Sequence, residues 1–341
     1  MPSFVTATVT EVLAERPGLQ RLATDAGRAY ALTDLTGTAA PGDRVVLNTT
    51  AVELGLGTGG WHVVHWNLAR EAWSQPGSGH IMKVRYTSLQ HDSGAAEEQH
   101  PDLPRTVAGL PVVACSLHSQ VAVVAAVARH LAPEARIAYV MTDGAGLPIV
   151  LSDLVHALRT QGVVDVTVTA GHAFGGDLEA VTVPSALALA RHVADADLVV
   201  VGMGPGVVGT ASPLGTTAVE VAAVIDAADR MGARVALCSR ASSADARERH
   251  QGISHHVRTI LGLAAARPEL PVPADLAAEL VGSTVVDSPD TAAVLAELDL
   301  QVTTMGRGPA DDPGFFAAAA SAGAWAAQAL GRVGRVATAA K

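Results

Sequence analysis

Val163-Val164-Asp165-Val166-Thr167-Val168-Thr169 leads directly into Ala170-Gly171-His172-Ala173-Phe174-Gly175-Gly176-Asp177. The first run is typical of a buried strand, and an apolar helical pattern begins near Val181. The second run is therefore a strand-to-helix loop, in which three glycines allow a tight turn and a close approach to a ligand. In an open parallel sheet such loops lie at the carboxyl edge, where ligands bind. This makes His172, Asp177 and Glu179 candidate catalytic residues.

The chain from residue 111 onward alternates apolar runs with amphipathic helical patterns, which predicts βαβ units. Right-handed crossovers would cover both faces with helices, so we expect a doubly wound α/β domain with a mostly parallel sheet. Strands are predicted at 111–115, 136–141, 163–169, 198–202, 234–238 and 300–304. Helices are predicted at 119–131, 149–161, 181–194, 214–231, 254–264, 289–298 and 313–330.

The first 75 residues follow a different pattern, with short alternating segments separated by turns such as Pro17-Gly18 and Pro41-Gly42-Asp43. This predicts a small β-barrel or β-sandwich. Residues 76–110 shift to Gly, Ser, Pro, Gln and acidic residues, interrupted by one plausible strand, Ile81–Tyr86. We therefore expect three parts: a β-rich domain over 1–75, a linker over 76–110 and an α/β domain over 111–341.

Composition limits the classes of partner. The chain has 341 residues, 49% hydrophobic residues and a net charge of −10, and it has no basic run of the kind that binds nucleic acid. Its two cysteines cannot build a disulfide framework or a zinc ribbon, which fits a reducing cytoplasm. We expect no membrane segment, since even Phe315–Leu330 is short and interrupted by polar residues. Its Ala-rich helices, 181–194 and 315–330, suit either internal packing or a homodimer.

Polar and glycine-rich loops follow the predicted strands, whereas the loops at the opposite edge look like plain turns. Asp143 follows the second strand, Gly204 to Thr210 follow the fourth, Arg240 the fifth and Arg307 the last. This segregation predicts a ligand site at the carboxyl edge.

The segment Gly204-Pro205-Gly206-Val207-Val208-Gly209 formally matches the dinucleotide-binding pattern after a strand. However, Pro213 delays the following helix, and no acidic residue ends the next strand to bind an adenosine ribose. We interpret the loop as a nest of backbone amides for an anion, with Thr210 as an extra donor and Arg240 or Arg307 as the counter-charge. A turn that merely requires glycine is the alternative.

A second dense cluster is Arg247-Glu248-Arg249-His250-Gln251-Gly252-Ile253-Ser254-His255-His256. Ser254 can cap a helix and place His255 and His256 in its first turn, where the helix dipole lowers their pKa. Neutral imidazoles in this position suit base catalysis or the binding of a divalent metal.

Three long runs resemble signature segments of an uncharacterised bacterial family known as a domain of unknown function, DUF3866. They are Gly79-His80-Ile81-Met82-Lys83-Val84-Arg85-Tyr86-Thr87, Gly171-His172-Ala173-Phe174-Gly175-Gly176-Asp177-Leu178-Glu179-Ala180, and His250-Gln251-Gly252-Ile253-Ser254-His255-His256. The resemblance extends over nearly the whole chain. It implies no activity.

The residues favour an enzyme, a hydrolase or transferase, acting on a small phosphorylated or nucleotide-like ligand, with His172, Asp177 and His255 converging on one pocket. A non-catalytic binding or regulatory protein would use the same loops without turnover. An NAD(P)-dependent oxidoreductase is a further alternative. So is a Cys115 nucleophile with His118 as its base, although Cys115 suits a buried strand end better.

Overall fold

The computed structural model describes residues 1–77 and 79–338, and beyond residue 331 only the backbone of the last helix. The described residues divide into two compact units, Met1–Ser93 and a second that begins at Gly94. The first contains a closed five-stranded barrel, and the second a six-stranded sheet in which all strands are parallel. The protein is therefore mixed α/β, as predicted.

The barrel has the strand order β1-β2-β3-β5-β4 and closes by antiparallel pairing of β4 with β1. Alternate residues point inward, so Val9, Leu22, Ala29 and Leu47 form its core. Of the two predicted architectures, barrel and sandwich, the barrel is the one formed. Its elements are β1 (Phe4–Arg16), β2 (Leu19–Thr24), β3 (Gly27–Leu32), β4 (Arg44–Asn48) and β5 (Trp61–Asn67), with the short helices α1 (Thr33–Thr36) and α2 (Thr50–Glu53).

The strand predicted at Ile81–Tyr86 is mostly wrong. Only β6 (Met82–Lys83) forms, paired with β7 (His91–Asp92). Val84 and Tyr86 have φ values of +50° and +62°, and a ladder cannot continue through this left-handed conformation.

The sheet of the second unit has the order β11-β10-β9-β12-β8-β13. Its central strands are buried on both faces, which explains the continuous apolar runs in the sequence. Five of the six predicted strands are confirmed, although β10 is shorter than predicted. The strands are β8 (Pro111–Cys115), β9 (Ile137–Thr142), β10 (Val166–Thr169), β11 (Leu178–Glu179), β12 (Leu198–Met203) and β13 (Arg234–Cys238).

Helices pack on both faces of this sheet. One core joins strand residues such as Val113 and Tyr139 to α3 and α9, and the other joins Val112 and Val140 to α5 and α6. The helices are α3 (His118–Leu131), α4 (Asp153–Thr160), α5 (Val183–His192), α6 (Val221–Arg230), α7 (His255–Leu263), α8 (Thr291–Glu297) and α9 (Pro313–Thr338). The remaining two-residue strands are β14 (Ala241–Ser242) with β15 (Gly252–Ile253), and β16 (Pro271–Val272) with β17 (Thr284–Val285).

Helices α3 and α9 pack closely against each other. A Cβ atom at Gly323 would lie 2.6 Å from the carbonyl oxygen of Val124, so only glycine permits this approach. Most apolar residues of the segments 181–194 and 315–330, which suggested a dimer, are buried within the chain. None of the described helices combines the length and apolarity needed to cross a membrane.

The strand predicted at 300–304 is wrong. Leu300, Val302 and Thr304 are buried alternately, as in a strand, but the segment forms no ladder and has only an isolated bridge from Thr304 to Arg307. The free edge of β13 is taken instead by Glu269, whose N–H donates to the Val235 carbonyl at 2.8 Å. The sixth strand is β11, at the opposite edge of the sheet.

Candidate functional site

A cleft of about 360 Å³ lies at the carboxyl ends of β8, β12 and β13. This size is within the range of small-molecule pockets. Its wall is formed by Leu117, His118 and Ser119 after β8, Pro205 to Thr210 and Thr216 after β12, Arg240, Arg247, Arg249, His250 and His256 after β13, and Leu154 with Thr303 to Met305.

Arg240 is the buried cation of the cleft, with only 8% of its surface exposed. One guanidinium nitrogen, Nη1, donates to Nδ1 of His256 at 3.0 Å, and Nη2 lies 4.0 Å from Asp245. Burial, followed by the charge of Arg247, lowers the pKa of Arg240 to about 10. The side chain therefore remains protonated at neutral pH and carries a poorly solvated positive charge.

Asp245 holds the arginines in place. Its two carboxylate oxygens accept hydrogen bonds from Nε and Nη2 of Arg247 at 2.9 and 2.8 Å, and Nη2 of Arg307 lies 3.7 Å away. The hydrogen bonds from Arg247 hold the pKa of Asp245 well below its usual range. Asp245 is therefore ionised and holds the guanidinium groups of the neighbouring arginines in position. Arg307 also forms an ion pair with Asp312.

Arg249 differs from the other cations of the cleft. It is exposed, lies on the cleft wall and has no ion pair or side-chain hydrogen bond with any described residue. Its guanidinium is therefore the one on this wall that a ligand can engage without breaking an internal contact.

The glycine loop contributes backbone to the same cleft. Gly206 has φ +94°, and a Cβ atom there would meet nothing within 4 Å. Gly209 pairs with Thr216, and Thr210 N–H donates to the Gly215 carbonyl at 2.7 Å, which closes the far end of the loop.

A dinucleotide-binding loop requires its glycines to lead directly into a helix, and this loop does not meet that requirement. After Gly209 the chain makes the turn that is closed by the pairing of Gly209 with Thr216. A 3₁₀ turn, Thr217–Glu220, follows before α6 begins at Val221. The glycines therefore do not open a helix, and no helix N-terminus is available there for a pyrophosphate.

His250, His255 and His256 form a compact cluster beside the arginines. The ring centroids are 4.4 to 5.0 Å apart, and one ligand atom of each residue lies within 4.8 Å of the others. The predicted N-cap is confirmed, since the Ser254 hydroxyl accepts from the backbone N–H of His256. Ser254 also bonds Nδ1 of His250 at 2.8 Å, whereas Nε2 of His255 is buried without a hydrogen-bond partner among the described residues.

All three imidazoles are neutral at pH 7. Burial, with a further contribution from Arg240, lowers the pKa of His250 to about 3 and that of His256 to about 4. Burial and then Arg249 lower the pKa of His255. The predicted direction is correct, but burial and the arginines are the main causes, not the helix dipole.

The structure does not bring His172 to this cluster. Its loop follows β10, whereas the histidine cluster follows β13, and three strands lie between them. With about 4.8 Å between neighbouring strands, the two strand ends are separated by roughly 19 Å. The expected convergence of His172, Asp177 and His255 on one pocket is therefore wrong.

The carboxylates near His172 stabilise local structure. Asp177 accepts from the N–H and hydroxyl of Thr167 and pairs with Arg159 at 3.1 Å. Glu179 accepts from the Thr169 hydroxyl and from the Gly175 N–H, which closes the loop.

Asp143 has a similar role, because it accepts from the backbone N–H of His172 at 3.1 Å. None of His172, Asp143, Asp177 and Glu179 lines the cleft.

Cys115 is not an activated nucleophile. It is fully buried opposite Cys238, and burial followed by this neighbour raises its thiol pKa well above the usual value. His118 does not act on it, since Nδ1 bonds the Met203 carbonyl and Nε2 the Ser152 hydroxyl. Both ring nitrogens of His118 therefore serve the packing of loops around the cleft.

Two other cavities have fewer charged and titratable side chains suited to binding an anion. One of about 470 Å³ lies at the amino edge among plain turns, and its Arg191 is bonded to the Ala196 carbonyl. Another of about 350 Å³ lies in the first unit and includes His65 and His91. Although the amino-edge cavity is larger, the 360 Å³ cleft is the one of these three that combines several cations with histidines and a glycine loop.

Sequence reasoning placed Arg240, His256, Gly206, Gly209 and Thr210 at this edge, and the structure brings these five to the cleft. Gly204 does not line the cleft and packs against Gly146 instead. His255 and Arg307 do not line it either, but His255 contacts His250 and His256, and Arg307 lies 3.7 Å from Asp245. Arg247, Arg249 and His250 also line the cleft, and all three belong to the segment 247–256 that the sequence singled out for its arginines and histidines.

A family model described as a protein of unknown function (DUF3866) matches residues 28–323. A search of curated proteins found no match, and a search of solved structures found none. The family match spans both units and includes every residue of the cleft. The chain belongs to the DUF3866 family, whose function is unknown.

Proposed function

We propose that the protein binds a small phosphorylated or nucleotide-like anion in the 360 Å³ cleft and acts on it as a hydrolase or transferase. The observation that carries this proposal is the concentration of Arg240, Arg247 and Arg249 on one wall, in a chain whose net charge is −10. Arginine is the side chain best suited to the planar, multidentate recognition of phosphate oxygens.

The glycine loop supports the same ligand from the other wall. At Gly206 the backbone is uncovered, so its amide can approach an anion more closely than a residue with a side chain would allow. Thr210 adds a hydroxyl on the cleft wall. Since the loop does not open a helix, we favour a phosphate group over a nicotinamide dinucleotide.

The histidines support turnover. His256 receives a hydrogen bond from Arg240 at Nδ1, which places the proton of the neutral ring on Nε2. This N–H can donate a hydrogen bond to a negative charge that develops on the ligand. A non-catalytic binding protein is the second candidate, because the same arginines would hold a ligand without any reaction.

Arg249 offers the clearest test because it has no ion pair or side-chain hydrogen bond with the residues that the structure describes. Arg249→Gln is expected to weaken the binding of pyrophosphate or ADP, measured by calorimetry, by about tenfold, while thermal stability is unchanged. Arg230→Gln, an exposed arginine at the end of α6, is the matched control and should bind normally. Equal effects of the two changes, or no anion binding by the wild type, would refute the proposal.

Turnover is measured separately, by incubating the protein with a panel of phosphoesters and nucleotides with and without divalent metals. Product formation that falls in Arg249→Gln supports the enzyme. Binding without any product supports the non-catalytic protein.

A further inference from the structure

We infer that His250, His255 and His256 form a binding site for one transition-metal ion, of the class that prefers imidazole ligands. Each residue offers a ring nitrogen within 4.8 Å of the other two. Imidazole favours Zn²⁺, Co²⁺, Ni²⁺ or Cu²⁺, whereas Mg²⁺ prefers oxygen ligands, which this cluster does not offer.

The buried nitrogen of His255 is an independent indication of a ligand. Nε2 has no hydrogen-bond partner among the described residues, although it is shielded from solvent. A buried polar atom without a partner is unfavourable, and a bound ion is one of the established explanations for such an atom in a native structure. A metal ion would satisfy this nitrogen.

Local structure holds the three rings ready for this role. His255 and His256 occupy the first turn of α7, and Ser254 fixes both the start of that helix and the ring of His250. Hydrogen bonding of the second ring nitrogen is the usual way in which a protein orients a histidine ligand.

Closing the site requires only a small movement. Tetrahedral Zn–N bonds of about 2.0–2.1 Å place ligand nitrogens about 3.3 Å apart. The imidazoles therefore have to approach one another by about 1.5 Å or less. Three histidines leave a fourth position open, and since His250 and His256 line the cleft, this position faces the proposed anion.

Arg240 is the competitor for this site. Its guanidinium donates to Nδ1 of His256, and its positive charge opposes a cation. Asp245, whose Oδ2 lies 4.0 Å from Nη2 of Arg240, is the carboxylate that would hold the guanidinium if a metal displaced it from Nδ1 of His256. Arg240 therefore has opposite effects on the two ligands of the cleft, since it attracts the anion and resists the metal.

The first test titrates the metal-free, full-length protein with Zn²⁺ by calorimetry and with Co²⁺ by visible absorption, both without an anion. We expect one ion per chain and the intense bands of tetrahedral Co²⁺. His255→Phe keeps the ring packing and removes the ligand nitrogen, so it should weaken Zn²⁺ binding by about a hundredfold. His156→Phe, an exposed position on α4, is the control and should bind as the wild type does.

Wild-type protein that binds no Zn²⁺ or Co²⁺ stoichiometrically overturns the inference, and so does unchanged binding in His255→Phe. If His255→Phe is unfolded by circular dichroism, His250→Gln provides the same comparison from a different element. Arg240→Gln then separates this inference from the anion proposal. Zn²⁺ should bind about tenfold more tightly and pyrophosphate about tenfold more weakly, and each readout can fail without the other.

Discussion

Gly204 and Gly206 are two positions apart in one loop, but glycine is required at them for different reasons. A Cβ atom at Gly204 would lie 2.2 Å from the carbonyl oxygen of Gly146, so this residue permits the contact between the loops after β12 and β9. At Gly206 the space is open and the requirement comes from φ +94°. A change at Gly204 therefore tests folding, and only Gly206 tests the ligand.

Gly206→Ala is expected to weaken pyrophosphate binding by about tenfold, because its Cβ projects into the space where the anion meets the backbone. Gly42→Ala is a close control, since Gly42 has φ +95°, equally open surroundings and a position in the barrel unit. The left-handed conformation should cost both variants about 1–2 kcal/mol of stability. Calorimetry measures the binding of pyrophosphate, and thermal unfolding measures the stability of each variant. A similar loss of binding in both variants would mean that the effect of Gly206→Ala comes from lost stability and not from contact with the anion.

The pairing of α3 with α9 depends on one glycine. Gly323→Ala is expected to lower the free energy of unfolding by about 1–3 kcal/mol, since its Cβ would lie 2.6 Å from the Val124 carbonyl oxygen. Gly331→Ala in the same helix meets nothing within 4 Å and should raise stability by up to about 1 kcal/mol through helix propensity. Denaturant unfolding measures both, and a stabilising Gly323→Ala would show that the two helices can separate at no cost.

The division of the chain predicts where a protease acts first. Limited trypsinolysis is expected to cut after Arg85 or Arg105, which are exposed, and to leave a stable C-terminal fragment. A cut after Arg105 spares the pairing of the second unit, because Val107 N–H donates to the Met231 carbonyl at 2.8 Å just before β8. Mass spectrometry identifies the fragments, and a first cut at Arg230 or elsewhere within 120–300 would contradict the predicted boundaries.

The sequence by itself determined the class of fold and placed the polar and glycine-rich loops at the carboxyl edge of the sheet. Strands such as 111–115 and 198–202 were readable because a strand buried on both faces must be apolar throughout. The alternation at 300–304 was misleading, since alternate burial requires only a buried surface on one side, whereas a strand also requires a free partner edge. Glu269 occupies that edge of β13, and no local pattern reveals this.

Which of the predicted site residues line the cleft depends on the order of the strands in the sheet. His172 and His256 are both near carboxyl ends of strands, and their local sequences gave no sign that β9, β12 and β8 separate them. Likewise, Asp177 was a plausible catalytic group until Thr167 and Arg159 were found to hold its carboxylate. A side chain's chemistry is set by its residue type, but its partners come from segments distant in the chain. The segment 247–256 was visible in the sequence, whereas the tertiary structure alone joined it to Arg240 and to the glycine loop after β12 in one cleft.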